Sequence, residues 1–406
     1  MRVRAKLLVL FVLMAALDAG GKFVERDQPT LDRVQRVALR LGVRARVGAR
    51  RSANNFEIFR GSSRHLIGDT DLYANYPGEH RDRFKYSPAF AFLFIPLAYA
   101  PWGLALLLWQ LANALALFYA LTRLLKDRRA DLAIAIVVLE VWRSMQNIQS
   151  NALVAASIIL AFVAFEERKN LRGALWIGLG ASVKVFPVAA GMFALPARGR
   201  WRAVTIVGGV LCTVLVLPVL VTPPAMLLAQ YRSWLSIEQG DAVAHMDSVM
   251  GLLQRLPSLD DIPNIAVQLL GLGVLLLPLA RYAERWKVRQ FRLQMLASTL
   301  LYVSLFNHQA ERASYVIAFT GIAIWYVTSP RRLLEQVLFG AAFLAIPAAS
   351  VFIPGRWIRS PDVTLVRLVV PCLIVWIEIQ VEMLRGQYRL AVSHESTPAL
   401  VEPLAA

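Results

Sequence analysis

Residues 293–327 read LQMLASTLLYVSLFNHQAERASYVIAFTGIAIWYV: two apolar runs parted by one polar gap. Neither run alternates apolar with polar, so neither is a half-buried strand. A helix that is apolar on every face is either the core of a large soluble protein or a membrane span. The rest of the chain decides between the two. Of its 406 residues 57% are hydrophobic, where soluble domains have about 45–50%; mean hydropathy is +0.52. About a dozen apolar runs of roughly 15–24 residues recur along it, close to the ~20 that a span needs. So many helices would leave too little polar surface to face water. In lipid only helices and closed barrels satisfy the backbone, and the missing alternation excludes the barrel. The expected fold is an all-α integral membrane protein, a polytopic bundle of about twelve transmembrane helices.

The formal net charge is +17. Lys and Arg gather between the apolar runs, as they do in cytoplasmic loops, so the charge reads as membrane topology and no nucleic-acid partner is expected. The clusters RLLKDRR (123–129), EERKNLR (166–172), ARGRWR (197–202), RYAERWKVRQFR (281–292) and SPRRLLEQ (329–336) all read as cytoplasmic, as do both termini. Spans then fall near 5–21, 102–125, 131–145, 151–166, 172–183, 185–196, 203–221, 264–281, 293–306, 312–328, 334–352 and 363–384. The opening MRVRAKLLVLFVLMAALDAGG resembles a secretory signal, but its apolar core also suits a retained first span, and the latter is expected. Cys212 and Cys372 both fall inside expected spans, which excludes a disulfide framework and a cysteine metal site.

A single transmembrane domain is expected over 1–390, with 391–406 as a cytoplasmic, disordered tail. The loop 22–101 is then a long first extracytoplasmic segment. It starts with LDRVQRVALRLGVRARV (31–47), whose apolar residues at helical spacing between arginines describe an amphipathic helix on the membrane surface. It ends with KYSPAFAFLFIPLAYAPW (85–102), where Pro88, Pro96 and Pro101 break any straight span and leave a helix dipping into the outer leaflet.

Polar groups next to lipid carry the functional signal. A Lys within a span costs about 2.5–3.5 kcal/mol, so Lys184 in GLGASVKVFPV (178–188) is paired, hydrated or near an interface, either snorkelling or holding an anion such as a phosphate. MQNIQSNALV (145–154) sets Asn147, Gln149 and Asn151 in a tight outward turn. These amides either cap the flanking helices or offer donors and acceptors to sugar hydroxyls. The polar gap of the opening stretch is the outward turn 307–311, with Asn307, His308 and Glu311 followed by Arg312. A carboxylate beside an imidazole suffices to move a proton from a hydroxyl; the alternative is a solvated Glu311–Arg312 pair with His308 as a cap. The first loop, NNFEIFRGSSRHLIGDTDLYANYPGEHRDRFKYSP (54–88), adds Asn55, Glu57, Asp82, Lys85 and Tyr86, most of whose charges would serve loop solvation alone. No metal-ligand spacing, phosphate-binding glycine loop or dinucleotide fingerprint occurs, so no cofactor and no metal is expected.

Four elements in this order resemble the integral-membrane glycosyltransferases of the GT-C class, closest to glycosyltransferase family 87, the polyprenyl-phosphate-mannose-dependent mannosyltransferases and their bacterial relatives. The elements are the first outer loop with its dipping helix, NIQSN (147–151), the GLGASVKVFPV hairpin and FNHQAE (306–311). The resemblance implies a GT-C-like bundle in the cell membrane with its active site facing outside the cytoplasm. It implies a polyprenyl-phosphate-linked hexose donor, mannose-like, and a lipid or glycan acceptor among the membrane lipids. Two positions depart from the family pattern. The family's first-loop Asp, its base, is Asn55 here, and the late turn has one His followed by Glu311. Glu311, or a first-loop acid such as Asp82 or Glu57, would then be the catalytic base, with His308 orienting it or donating to phosphate. Lys184, Lys85 and Arg312 would meet the leaving phosphate, and Asn55, Tyr86, Asn147, Gln149, Asn151 and Asn307 would bind substrate. The rivals are a transporter or flippase of a lipid-linked sugar, which would want midplane charges and internal repeats, and a non-catalytic membrane scaffold.

Overall fold

The structure is a computed structural model that describes residues 3–27, 33, 53–195, 199–240, 247–259, 262–358 and 360–386. The amphipathic segment expected over 31–47, save Arg33, and the tail 391–406 lie outside the described residues. Among the described residues every regular element is helical. The α-helices are α1 (Val3–Arg26), α2 (Asn54–Ile67), α3 (Pro88–Leu93), α4 (Ile95–Tyr99), α5 (Trp102–Leu124), α6 (Asp127–Gln146), α7 (Asn151–Glu166) and α8 (Asn170–Val183) in the first half, with α3 and α4 short. A 3₁₀ segment, Phe186–Ala194, folds back from α8. The second half holds α9 (Arg200–Val216), α10 (Pro224–Gly240), the short α11 (Val249–Leu253), α12 (Asn264–Arg281), α13 (Arg289–Leu305), α14 (Tyr315–Thr328), α15 (Leu333–Phe352) and α16 (Pro361–Arg385).

Helices occupy each segment that the apolar pattern marks. Among the described residues five have the length and hydropathy to cross a membrane: α1, α5, α9 with its 3₁₀ extension to Leu220, α12 and α15. The others are shorter or more charged. Their packing sorts them by neighbour. α7 is buried on nearly every face, and α13 and α14 likewise, so these three form the centre. α9 and α12 present mostly exposed apolar side chains, the pattern of helices that face lipid. Close approach in the centre depends on small residues: a Cβ on Gly321 of α14 would lie 2.6 Å from the Ala297 carbonyl of α13. Prolines break the chain where expected. Ser87 caps α3 by accepting from the Phe90 N–H at 3.3 Å, with Pro88 as the first helical residue. The helix then breaks at Phe94, restarts with Pro96 in the first turn of α4, and restarts again after Pro101 as α5.

Aromatic packing fixes α2 against this broken helix. Phe59 sits edge-on to Tyr86 and Phe90, each at 5.1 Å, and Phe56 to Trp102 at 5.5 Å. Such offset pairs each add about 0.5–1.5 kcal/mol beyond area burial. Residues 54–101 of the first loop are thereby a packed layer over one end of the bundle. Ion pairs mark the other end: Arg4 with Asp131 at 2.7 Å, Arg123 with Glu167, and Arg292 with Glu166 at 2.5 Å. Of the basic clusters that the sequence assigns to one membrane face, 123–129, 166–172 and 281–292 therefore meet in space.

Candidate active site

Four distant stretches close on one cavity of about 450 Å³, within the range of small-ligand sites. Asn55 and Phe59 come from α2, Asp82, Arg83, Lys85 and Tyr86 from the rest of the first loop, and Gln149 from the α6–α7 turn. Lys184 comes from the hairpin after α8, and Asn307, His308 and Glu311 from the turn after α13. Trp234 and Glu238 of α10 and Gln268 of α12 complete the wall.

The turn geometry explains why these side chains point inward. Asn307 Oδ1 accepts from the Gln309 N–H at 3.0 Å and tightens the turn. Glu311 caps the one-turn 3₁₀ helix Arg312–Ser314 in a reciprocal capping box with Ser314. Its Oε1 accepts from Gln149 Nε2 at 2.7 Å. Gln149 Oε1 in turn accepts from the Tyr86 hydroxyl at 3.4 Å, which orients the amide. Burial pushes the Tyr86 phenol up, and the Glu311 charge adds to the shift, so the phenol stays a donor. His308 Nδ1 lies 3.4 Å from Gln268 Nε2.

Lys184 ends α8, and its Nζ donates to Asn151 Oδ1 at 2.8 Å. Asn151 is buried and donates to the Ala313 carbonyl at 3.0 Å. Burial pulls the Lys184 ammonium down from the ordinary lysine value, while the Glu311 and Glu238 carboxylates push it back up. The hairpin depends on Gly180, where a Cβ would meet Pro187 at 2.6 Å and Ser157 at 2.7 Å. Asn55 faces the cavity but is also a strut, donating to the Asn147 carbonyl at 2.8 Å. Asp82 lines the cavity and accepts from the Arg83 N–H at 2.8 Å.

Four of the expected site residues lie outside the cavity lining. Glu57 turns to the other side of α2, where it pairs with Arg26 and accepts from Trp102 Nε1, both at 2.8 Å. Arg312 points away from the cavity and forks onto Glu140 of α6 at 2.7 and 2.6 Å. Asn147 ends α6 and donates to the Arg143 carbonyl at 2.9 Å, contributing its own carbonyl to Asn55. Asn151 stands behind Lys184. Glu238 and Trp234 stand on α10, which lies between the expected spans 203–221 and 264–281, although YRSWLSIEQ has no helix breaker. Glu140 lies inside the expected span 131–145, where a carboxylate signals a partner.

A polytopic helical protein with one polar, ligand-sized chamber at the end of its bundle is thus defined, with amides, a carboxylate, an imidazole and cations on the wall. The family model of glycosyltransferase family 87 matches residues 84–307, over half of the chain, and the chain belongs to that family. It is a membrane glycosyltransferase, which takes a sugar donor and an acceptor. Lys85, Tyr86, Gln149, Lys184 and Asn307 lie inside the matched stretch, while Asn55, Asp82 and Glu311 lie outside it. No curated protein matches the chain.

Proposed function

We propose that this protein transfers a hexose, mannose-like, from a polyprenyl-phosphate donor to a lipid or glycan acceptor on the outer side of the cell membrane. The single transmembrane domain of about twelve spans, with both termini inside, is part of this reading. The observation that carries it is the joint lining of one cavity by Lys184, Lys85, Glu311 and Gln149, brought together at the end opposite the basic clusters. A donor of this kind keeps its tail in lipid and reacts at the interface, and a chamber at the end of a lipid-facing bundle meets both needs.

In this mechanism Glu311 takes the proton of the acceptor hydroxyl as that oxygen attacks the anomeric carbon. The bond from the anomeric carbon to the phosphate oxygen breaks, and its electron pair leaves with polyprenyl phosphate. The configuration inverts. Base assistance of this sort contributes about 10²–10⁴ in rate. Lys184 and Lys85 meet the charge that develops on the phosphate, and His308 orients the base or donates to the same phosphate. Arg312 is not in this set, because Glu140 already holds it. Asp82 is the alternative base, exposed at the rim. No step calls for a metal.

The test is Glu311→Gln, which keeps the shape and the cap but cannot accept a proton. Transfer from a radiolabelled polyprenyl-phosphate sugar is expected to fall at least about a hundred-fold, while donor binding persists. Full transfer by this variant would remove Glu311 from the mechanism, and Asp82→Asn then becomes the decisive variant.

A further inference from the structure

At the other end of the bundle α5 and α8 both pack on α7, and between them lies a second hollow of about 450 Å³. Its shaft is apolar, built from Leu160 and Val163 of α7 and Leu175 and Leu179 of α8. Its mouth is charged, with Arg123 from α5 and Arg172 from α8. Glu167 at the mouth is bonded by both Arg123 and Lys169, the latter at 2.6 Å, so with Arg172 the mouth holds three cations and one carboxylate. The Arg172 side chain is exposed and makes no hydrogen bond or ion pair with another described residue. Leu171 and Leu175, 57% and 53% exposed, extend the apolar surface outward from the groove.

We propose that this groove binds an anionic phospholipid, with its phosphate against Arg123 and Arg172 and one acyl chain along the leucine shaft. Charge complementarity selects the occupant: the rim has an excess of positive charge, which a headgroup of no net charge does not answer. The shaft answers hydrocarbon, which a free anion lacks. The groove is distinct from the cavity above. Asn151 and Glu166 are the two ends of α7, and fifteen residues of helix at 1.5 Å each separate them by about 22 Å. The proposal therefore stands or falls independently of the transfer reaction.

Trp176 lines the groove and reports on it. The full chain is reconstituted in phosphatidylcholine vesicles in which a fixed minor fraction of the lipid has brominated acyl chains, either as phosphatidylglycerol or as phosphatidylcholine. The Trp176 signal is the difference between the unchanged chain and Trp176→Phe. Stronger quenching by the brominated phosphatidylglycerol is expected, with a local enrichment on the order of ten-fold, since each basic residue near the surface favours an anionic lipid by about five-fold. Arg172→Gln, a change at an exposed position, is expected to reduce the enrichment by about five-fold. Equal quenching by the two brominated lipids would overturn the proposal. So would an enrichment that survives Arg123→Gln and Arg172→Gln together. Loss of the enrichment to inorganic phosphate, but not to chloride of the same ionic strength, would also overturn it, by showing a free-anion site.

Discussion

Glu311 is one peptide bond from a buried anchor, and breaking that anchor is the sharpest test of how the site is held. The Glu140 side chain is 2% exposed and that of Arg312 14%, and the two are joined by two bonds of 2.7 and 2.6 Å. Glu140→Gln leaves the guanidinium without its main countercharge. Removing one partner of a buried pair costs about 3–5 kcal/mol. Ser350 still accepts from Arg312 at 2.9 Å, and Asp247 still faces it, so the lower end, about 3 kcal/mol, is expected. Arg312→Met strands Glu140 instead and is expected to cost at least as much. Replacing both with Met removes both charges, and a loss within about 1–2 kcal/mol of the unchanged chain is expected. Denaturant midpoints in one detergent, followed by helical circular dichroism and compared at a common slope, measure all four proteins. Transfer should not return with stability: in the double variant Glu311 has lost its tether, and a displacement of about 1 Å can cost roughly 10²-fold in rate. Single variants within about 0.5 kcal/mol of the unchanged chain, or a double variant as unstable as the sum of the singles, would refute the reasoning.

Lys184→Met is expected to weaken donor binding. Because burial lowers the Lys184 value below the ordinary 10.5, donor affinity in the unchanged chain should fall on the alkaline side earlier than for an exposed lysine, and titrating donor binding against pH checks this. Asp247 is pushed up to about 6, by burial first and by Glu311, against the pull of Arg312 and Arg367. A carboxylate raised in the fold costs stability where it is ionised, so its contribution should improve as pH falls through about 6 towards the ordinary 3.8. Asp247→Asn should abolish that component in unfolding midpoints across this range, while keeping the Asp247 N–H bond to the Ala310 carbonyl at 2.9 Å. Asn55→Asp restores the carboxylate of the family pattern but sets it against the Asn147 carbonyl, so Asn55→Asp/Glu311→Gln should stay inactive; recovered transfer would move the base to position 55. Gly180→Val should disrupt the hairpin by collision with Pro187 and Ser157 and lower donor binding as Lys184→Met does.

Most of the spans were legible because each is a run of largely apolar residues, and the breaks at Pro88, Pro96 and Pro101 because proline removes a donor. The cavity was legible by segment: each of the four polar gaps contributes a wall. Individual side chains were harder. Glu57 and Ile58 are neighbours on α2, yet only Ile58 faces the cavity, and the 100° step between them is fixed by how Phe56 and Phe59 bury. Arg312 looked like a partner for Glu311, but a one-residue step past the cap turns it towards α6. That direction depends on Glu140, 172 residues away, which no local pattern reveals. α10 was hidden because its polar and apolar residues mix without the uniform stretch that marked the others.

The chamber draws its wall from residues as early as Asn55 and as late as Glu311, and the late turn is steadied by Ser350. A ribosome emitting this chain into the bilayer must therefore release most of it before the chamber is complete. Products ending ahead of that last turn lack part of the wall, so on the proposed function a half-made copy is expected neither to sequester donor nor to glycosylate out of turn.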